Sequence, residues 1–480
     1  MTNKSLNNLD QFIDEVRESW KIPGLATAVV QKGELVYIGT SGIRDADGKL
    51  PVTPDTLFAI GSSTKAFTST AIGMLVDEGK LDLDCPIIEY LPDFRLFDEY
   101  ATLHTTPRDI LCHRTGLPGY DALWLLSDKQ REDYFKGLRF LKPTKGFRET
   151  FQYNNLMYMA AGILVGRLSG KSWEEFVAER IFKSLKMDFS NFSPEEMQRT
   201  PDFSKPYMTF TGSPIEIPFR NTTALGPAGS INSNIVEMAH WVQMQLDGGR
   251  WGRQQIISSK SLDQTHLPHM VITDPLQTKI TQFSVYGQGW GNTDYMGNKL
   301  IEHGGNIDGF SALVSLMPEE KTGVVVLSNS LNIIGYVIAR TVYDLMFGSK
   351  DQDWNKHYIT IFTEILQLYS GGSQPEEKPV PDTKPSFPLS QYEGIFAHPA
   401  FGPVEIKKKI DRLTVCFQSG ATAVLDHWHF DSFRGKTSDF YLGEVKLQFH
   451  LNKKGAVDTF TIPLQAGVED ILFKRQDQYT

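Results

Sequence analysis

Residues 370–388 hold Pro375, Pro379, Pro381, Pro385 and Pro388 among glycines and glutamates. Proline lacks the backbone N–H that helices and inner strands need, so this stretch reads as an extended, semi-rigid linker. It cuts the chain into a long front part, 1–369, and a short back part, 389–480. Two bodies are also what 480 residues require, since a single core of that size is uncommon.

The back part consists of short alternating runs punctuated by turn residues: Val404 to Lys408, Leu413 to Gln418, Ala423 to Asp426, Asp439 to Leu442, Val445 to Leu451 and Thr459 to Pro463. Alternation over such short runs is the period of a half-buried strand, and these runs in series predict a small β-barrel or sandwich. Phe430, Phe433, Phe440 and Tyr441 are expected in its core.

The front part mixes both periods. Leu9, Phe12, Ile13 and Val16 keep helical spacing, which predicts a first helix to about Trp20. Ala26 to Gln31 and Leu35 to Thr40 read as a hairpin turned at Lys32-Gly33. Helices are expected over 62–79, 154–168, 173–185, 235–246 and 333–347, and strands over 309–317 and 321–328. Strands near both ends with helices between predict one mixed sheet with a helical insertion, an α+β plan.

A formal charge of −9 and a pI near 5.7 speak against nucleic acid or an anionic membrane as partner. No run of about 18 apolar residues occurs, and Met1 to Trp20 lacks the apolar segment of a secretory signal, so a cytoplasmic protein is expected. Cys85, Cys112 and Cys416 are odd in number and far apart, which leaves no disulfide framework. His266-x-x-His269 and His427-Trp428-His429 lack a third ligand at telling spacing, and Gly304-Gly305 lacks the lysine of a phosphate loop. No metal and no cofactor are expected.

Three short patterns carry the chemistry. Ser62 and Lys65 stand one helical turn apart after Gly61, and no other serine in the chain has a lysine three places on. A serine hydroxyl needs a neighbouring base to attack, and a desolvated lysine can supply one. Of the 17 tyrosines only Tyr153 is followed two places on by asparagine, Asn155. Of the 11 histidines only His303 is followed two places on by glycine, Gly305.

In this order and spacing the patterns resemble the serine β-lactamase and penicillin-binding-protein superfamily. The branch is that of class C β-lactamases, D-amino-acid-specific peptidases and type VIII-like esterases. Leu111-Cys112-His113-Arg114-Thr115-Gly116-Leu117-Pro118, Pro227-Ala228-Gly229-Ser230 and Gly304-Gly305-Asn306-Ile307-Asp308-Gly309-Phe310 are similar to further text of that branch. The resemblance spans roughly residues 8 to 350. It implies an antiparallel sheet with a helical domain, and for the back part a lipocalin-like barrel.

It also implies roles. Ser62 is acylated; Tyr153 takes its proton; Lys65 lowers the tyrosine pKa or is itself the base. Asn155, His303 and Gly305 bind substrate, and the backbone N–H groups of Ser62 and Asn306 form the oxyanion hole. The superfamily carries Lys-Thr-Gly or His-x-Gly at this place, and the histidine form, here His303, weakens the grip on a substrate carboxylate and favours small esters, amides or D-amino-acid peptides over β-lactams. Acyl transfer to an acceptor other than water in secondary metabolism, β-lactam hydrolysis, and a non-catalytic scaffold are the alternatives. Assembly into a homo-oligomer stays open.

Overall fold

The computed structural model describes residues 6, 8–209, 213–273, 283–348, 352–369, 378–439 and 441–476. Residues 370–377 of the expected linker and Phe440 lie outside them. The chain divides into two compact units: residues 1–91, 106–114 and 157–373 form the first, and 92–105, 115–156 and 374–480 the second. Segments 92–105 and 115–156, which precede the linker in sequence, thus group with the back part.

The first unit is built on a nine-stranded sheet. Its strands are β1 Gly24–Gln31, β2 Glu34–Asp45, β3 Leu50–Pro51, β4 Met270–Val271, β5 Val285–Tyr286, β6 Gly291–Tyr295, β7 Asn298–Ile307, β8 Phe310–Met317 and β9 Thr322–Ser328. They run in the order β4-β5-β6-β7-β8-β9-β1-β2-β3, so strands from both ends of the unit meet where β9 pairs β1. The sheet is antiparallel at every pairing, as the family resemblance implies, and is not the mixed sheet that the interleaved helices alone suggest. The helices lie in insertions between strands and do not form crossovers between parallel neighbours. Lys32 (φ +53°) and Gly33 (φ +80°) both take left-handed backbone, the conformation a two-residue hairpin turn needs.

β1, β8 and β9 are buried on both faces, which is why they read as continuous apolar runs. On one face Leu25, Val29, Val324 and Val326 pack with α1 (Leu9–Ser19) and with the helix Ile334–Phe347 through Leu9, Ile13, Val337, Ile338 and Val342. The other face takes the helix Ile235–Leu246, whose Trp241 stacks on Phe67 at 3.7 Å between ring centres. Phe67 belongs to the helix Thr64–Asp77, which follows a single 3-10 turn over Gly61–Ser63. The expected helix over 173–185 is interrupted by a π turn at Ala178–Phe182.

The second unit contains a closed barrel of eight strands: Gly394–His398, Gly402–Lys409, Arg412–Phe417, Thr422–His429, Ser432–Lys436, Glu444–Leu451, Val457–Ile462 and Ile471–Arg475. Each strand pairs with the next, and the first closes on the last, an up-and-down topology. Tyr392, Phe396, Phe433, Phe449, Phe460 and Phe473 fill the interior with ring contacts. Phe433 is a core residue as expected, whereas Phe430 and Tyr441 are exposed. Asp439, Tyr441 and Leu442, expected in a strand, lie in a bend and turn. Three strands not expected from the sequence bury few apolar side chains: Gly394–His398 buries only Phe396, Ser432–Lys436 buries Phe433 beside Ser432 and Gly435, and Ile471–Arg475 buries Ile471 and Phe473.

Among the described residues no helix is long and apolar enough to cross a membrane. None of them form a group of three or more metal-ligating side chains.

Candidate active site

Gly61 and Ser62 sit where the sheet leaves a strand open. β6 pairs with β7 only from Asn298 to Glu302, so the remainder of β7, His303 to Ile307, has β8 on one side and no strand of β6 on the other. The turn carrying Ser62 fills that place. A Cβ on Gly305 would stand 1.8 Å from the Ile60 carbonyl oxygen and 3.0 Å from the Ser62 nitrogen, and one on Gly61 would stand 2.8 Å from the Asn306 nitrogen. Two glycines on facing segments therefore bring the backbones of Ser62 and Asn306 together at a distance that side chains would forbid. Ser63 Oγ donates to the His303 carbonyl at 3.2 Å and ties the two segments further.

Ser62 is half-buried and caps no helix: the turn has no side-chain cap bond, which removes the ordinary structural reason for a serine here. Lys65 is fully buried, its Nζ 3.0 Å from Ser62 Oγ and 2.8 Å from the Ala228 carbonyl. The ring of Tyr158 lies 5.3 Å from the ammonium, a stabilising contact for a cation out of water. The segment Gly226–Gly229 is locked to the same helix by Thr68 Oγ1 donating to the Pro227 carbonyl at 2.7 Å, and by the Ile231 N–H donating to Thr64 Oγ1 at 3.2 Å.

His303 is held from both sides. Its Nδ1 lies 2.6 Å from the Gly304 carbonyl, which only accepts, so Nδ1 carries the proton. Nε2 then accepts from the Tyr286 hydroxyl at 2.7 Å. Burial, and secondarily the charge of Lys65, pulls its pKa down to about 3. His303 is thus a neutral imidazole with both ring nitrogens engaged, and it offers no charge to a substrate carboxylate.

His113, in left-handed backbone at φ +59°, packs on the rings of Tyr158 and Tyr286 and is held neutral in the same way, chiefly by burial. Tyr286 begins the turn Tyr286-Gly287-Gln288-Gly289-Trp290, where a Cβ on Gly289 would meet the Lys65 backbone at 3.0 Å. Sequence reasoning passed over Tyr286, Gly289 and Tyr158. A glycine-flanked tyrosine and tryptophan between two strands was the only available signal.

These histidines set an acid limit on stability. His266 and His303 have pKa values lowered to about 3, so between there and the free value near 6.5 the unfolded chain binds protons that the folded chain refuses. Stability is complete above about pH 6.5 and falls as pH drops, by up to about 1.4 kcal/mol per pH unit for each such histidine. A urea midpoint at pH 5 clearly below that at pH 7.5 is the expected result; equal midpoints would refute it.

Tyr153, Asn154 and Asn155 lie on the second unit, at the start of the helix Asn155–Ser169. Asn154 is buried and its Nδ2 donates to the carbonyls of Pro118 at 2.5 Å and Leu117 at 3.3 Å. Asn155 Nδ2 donates to Asp121 Oδ1 at 3.0 Å. Tyr153 is half-buried with the Phe151 ring 6.5 Å away. Within the first unit, then, Ser62, Lys65, Gly305 and Asn306 converge, while Tyr153 and Asn155 are set by the second. His266 is buried against Gln245, and His427 and His429 belong to the barrel.

Comparison with known proteins bears on this arrangement. A relative named "Unguisins hydrolase ungD'" from Aspergillus campestris is 30% identical over 437 residues, covering 84% of this chain and 79% of its own. A second, "Unguisins hydrolase ungD" from Aspergillus violaceofuscus, is 28% identical over 83% of this chain and 76% of its own. "Protein flp" of Staphylococcus aureus is 26% identical over 68% of this chain and 64% of its own. Among solved structures, the octameric penicillin-binding protein homologue from Pyrococcus abyssi superposes with a TM-score of 0.64 at 23% identity, covering 98% of this chain and all of that one. The barrel region, residues 378–475, matches a domain of unknown function, DUF3471. The beta-lactamase family model matches residues 9–345, which include the open half of β7 and the turn that fills it, and the chain belongs to that family.

Proposed function

We propose that the protein is a serine hydrolase working through an acyl-enzyme on Ser62, and that it cleaves small esters, amides or D-amino-acid peptides. The observation that carries this is the 3.0 Å contact between a fully buried Lys65 and a Ser62 hydroxyl that caps nothing. A buried ammonium costs several kcal/mol of desolvation, and a chain keeps one where function uses it. Ser62 Oγ attacks the carbonyl carbon, the C–O or C–N bond to the leaving group breaks, and water later releases the acyl group. The backbone N–H groups of Ser62 and Asn306 would hold the developing oxyanion, and Asn155 the substrate's acyl chain.

Tyr153 takes the serine proton with Lys65 beside the hydroxyl, or Lys65 takes it directly. Tyr153→Phe separates these routes: loss of acylation by about 10²–10⁴-fold assigns the base to the tyrosine, retention assigns it to the lysine. The neutral His303 supports a substrate without an essential carboxylate, and the hydrolase names of two relatives support hydrolysis over transfer.

Labelling with a fluorophosphonate and mapping the adduct by mass spectrometry tests the proposal. Wild type should carry the label on Ser62, and an unlabelled protein or a label elsewhere would sink it. Lys65→Met, which keeps the length of the side chain and removes the charge, should lose labelling rate by about 10²–10⁴-fold. Its melting temperature should stay at or above wild type, because the desolvated charge is gone. A clear fall in melting temperature would show that Lys65 is there for the fold.

A further inference from the structure

We infer that Gln465, on the connection between barrel strands Val457–Ile462 and Ile471–Arg475, is a positioning residue for Asn155, which makes the barrel a working part of the site. The inference rests on the proposed role of Asn155 and concerns contacts within the second unit alone.

The path runs through three residues. Gln465 Oε1 accepts from the backbone N–H of Tyr120 at 2.7 Å. Tyr120 takes left-handed backbone, φ +50°, which crowds the Cβ of a non-glycine residue against its own backbone. Such a conformation persists only where its surroundings over-determine it. Here they do: the side chain is 1% exposed, its hydroxyl donates to the Lys142 carbonyl at 2.9 Å, and its ring meets Phe401 of the barrel at 6.5 Å between centres.

The turn at Tyr120 aims the next residue. Asp121 Oδ1 accepts from Asn155 Nδ2 at 3.0 Å and from Trp124 Nε1 at 2.9 Å. On its other flank the same loop receives Asn154 through the Leu117 and Pro118 carbonyls. Residues 117–121 are thus a splint for the Tyr-x-Asn segment, and Gln465 fastens that splint to the barrel.

Other barrel contacts bear on the path less directly: Ser419 N–H donates to the Leu126 carbonyl at 3.2 Å, and Glu469 pairs at 2.6 Å with the exposed Lys142 ammonium and not with the Lys142 carbonyl that receives Tyr120. Loss of the Gln465 acceptor would leave a buried N–H unsatisfied at a strained residue, and relaxation of that residue swings the Asp121 carboxylate off Asn155.

Gln465→Met keeps the shape and removes the acceptor; Gln465→Glu keeps the acceptor. On p-nitrophenyl butyrate, Gln465→Met should lower kcat/KM about tenfold, and Gln465→Glu should stay within twofold of wild type. Glu469→Gln, on the same connection, should also stay within twofold. In an Asn155→Ala background Gln465→Met should have no further effect. Wild-type kcat/KM in Gln465→Met, or the same fold loss with and without Asn155, would overturn the inference.

Hydrogen exchange reads the splint apart from the chemistry. The Tyr120 amide should exchange at least about tenfold faster in Gln465→Met, and unchanged exchange overturns the inference even if Ser62 proves not to be the nucleophile.

Discussion

Alanine at position 62 should end covalent capture of a fluorophosphonate and lower ester turnover by at least about 10⁴-fold, with no loss of fold. The size follows from the chemistry: no other group takes over when the nucleophile is missing, and only the oxyanion donors and binding contacts remain to speed attack by water. The intact fold follows from the geometry. Ser62 caps no helix, and its hydroxyl accepts from Lys65 Nζ, which also donates to the Ala228 carbonyl. Kinetics with p-nitrophenyl butyrate beside a thermal melt reads both halves. Residual turnover within about tenfold of wild type would displace Ser62 from the centre, and a collapsed melt would give it a structural role.

Gly305→Ala should be nearly as damaging while leaving every polar side chain in place. The new Cβ would stand 1.8 Å from the Ile60 oxygen and 2.8 Å from the Ile60 carbon, both backbone atoms that cannot rotate away. Ile60 is itself held, its N–H donating to the Ile231 carbonyl at 2.9 Å and its oxygen receiving Ser63 at 3.2 Å. β7 must therefore move off the turn by more than an ångström, and the Ser62 and Asn306 amides move apart with it. A misplacement of that size costs about 10²-fold or more in rate, and overpacking of this kind about 1–3 kcal/mol in stability. Gly304→Ala is the control. Its Cβ would crowd only the Tyr336 hydroxyl, at 3.1 Å, a side-chain tip that can yield, with the Ala312 carbonyl oxygen at an ordinary 3.8 Å, so activity within about tenfold is expected. If the two variants behave alike, the close approach at Gly305 has no special place in the site.

Much of this was legible before any coordinates. The hairpin at Lys32-Gly33, the helix ending at Gly79 and the strands at 309–328 follow from period and turn residues, because each is decided by neighbours in sequence. The three motifs were legible as uncommon pairs in a set order. The antiparallel sheet was legible only through the family resemblance; period and turn residues by themselves suggested a mixed sheet, since β9 and β1 pair across segments far apart in the chain. Three barrel strands were missed because each has only five residues and buries one or two apolar side chains, and the alternation over 439–442 misled because Asp439, Tyr441 and Leu442 lie in a bend and turn.

The sequence by itself determined which residue types were on hand: one serine with a lysine a turn away, one Tyr-x-Asn, and a histidine where a lysine would have carried charge. Those are local facts, settled by covalent spacing. Only the tertiary structure decided what they meet. It buries Lys65 against the Ser62 hydroxyl, turns His303 inward onto Tyr286 so that it stays neutral, and joins Asn155 to the barrel through Asp121, Tyr120 and Gln465. Burial and long-range hydrogen bonds set protonation and aim, and neither can be read from residues that are distant in the chain.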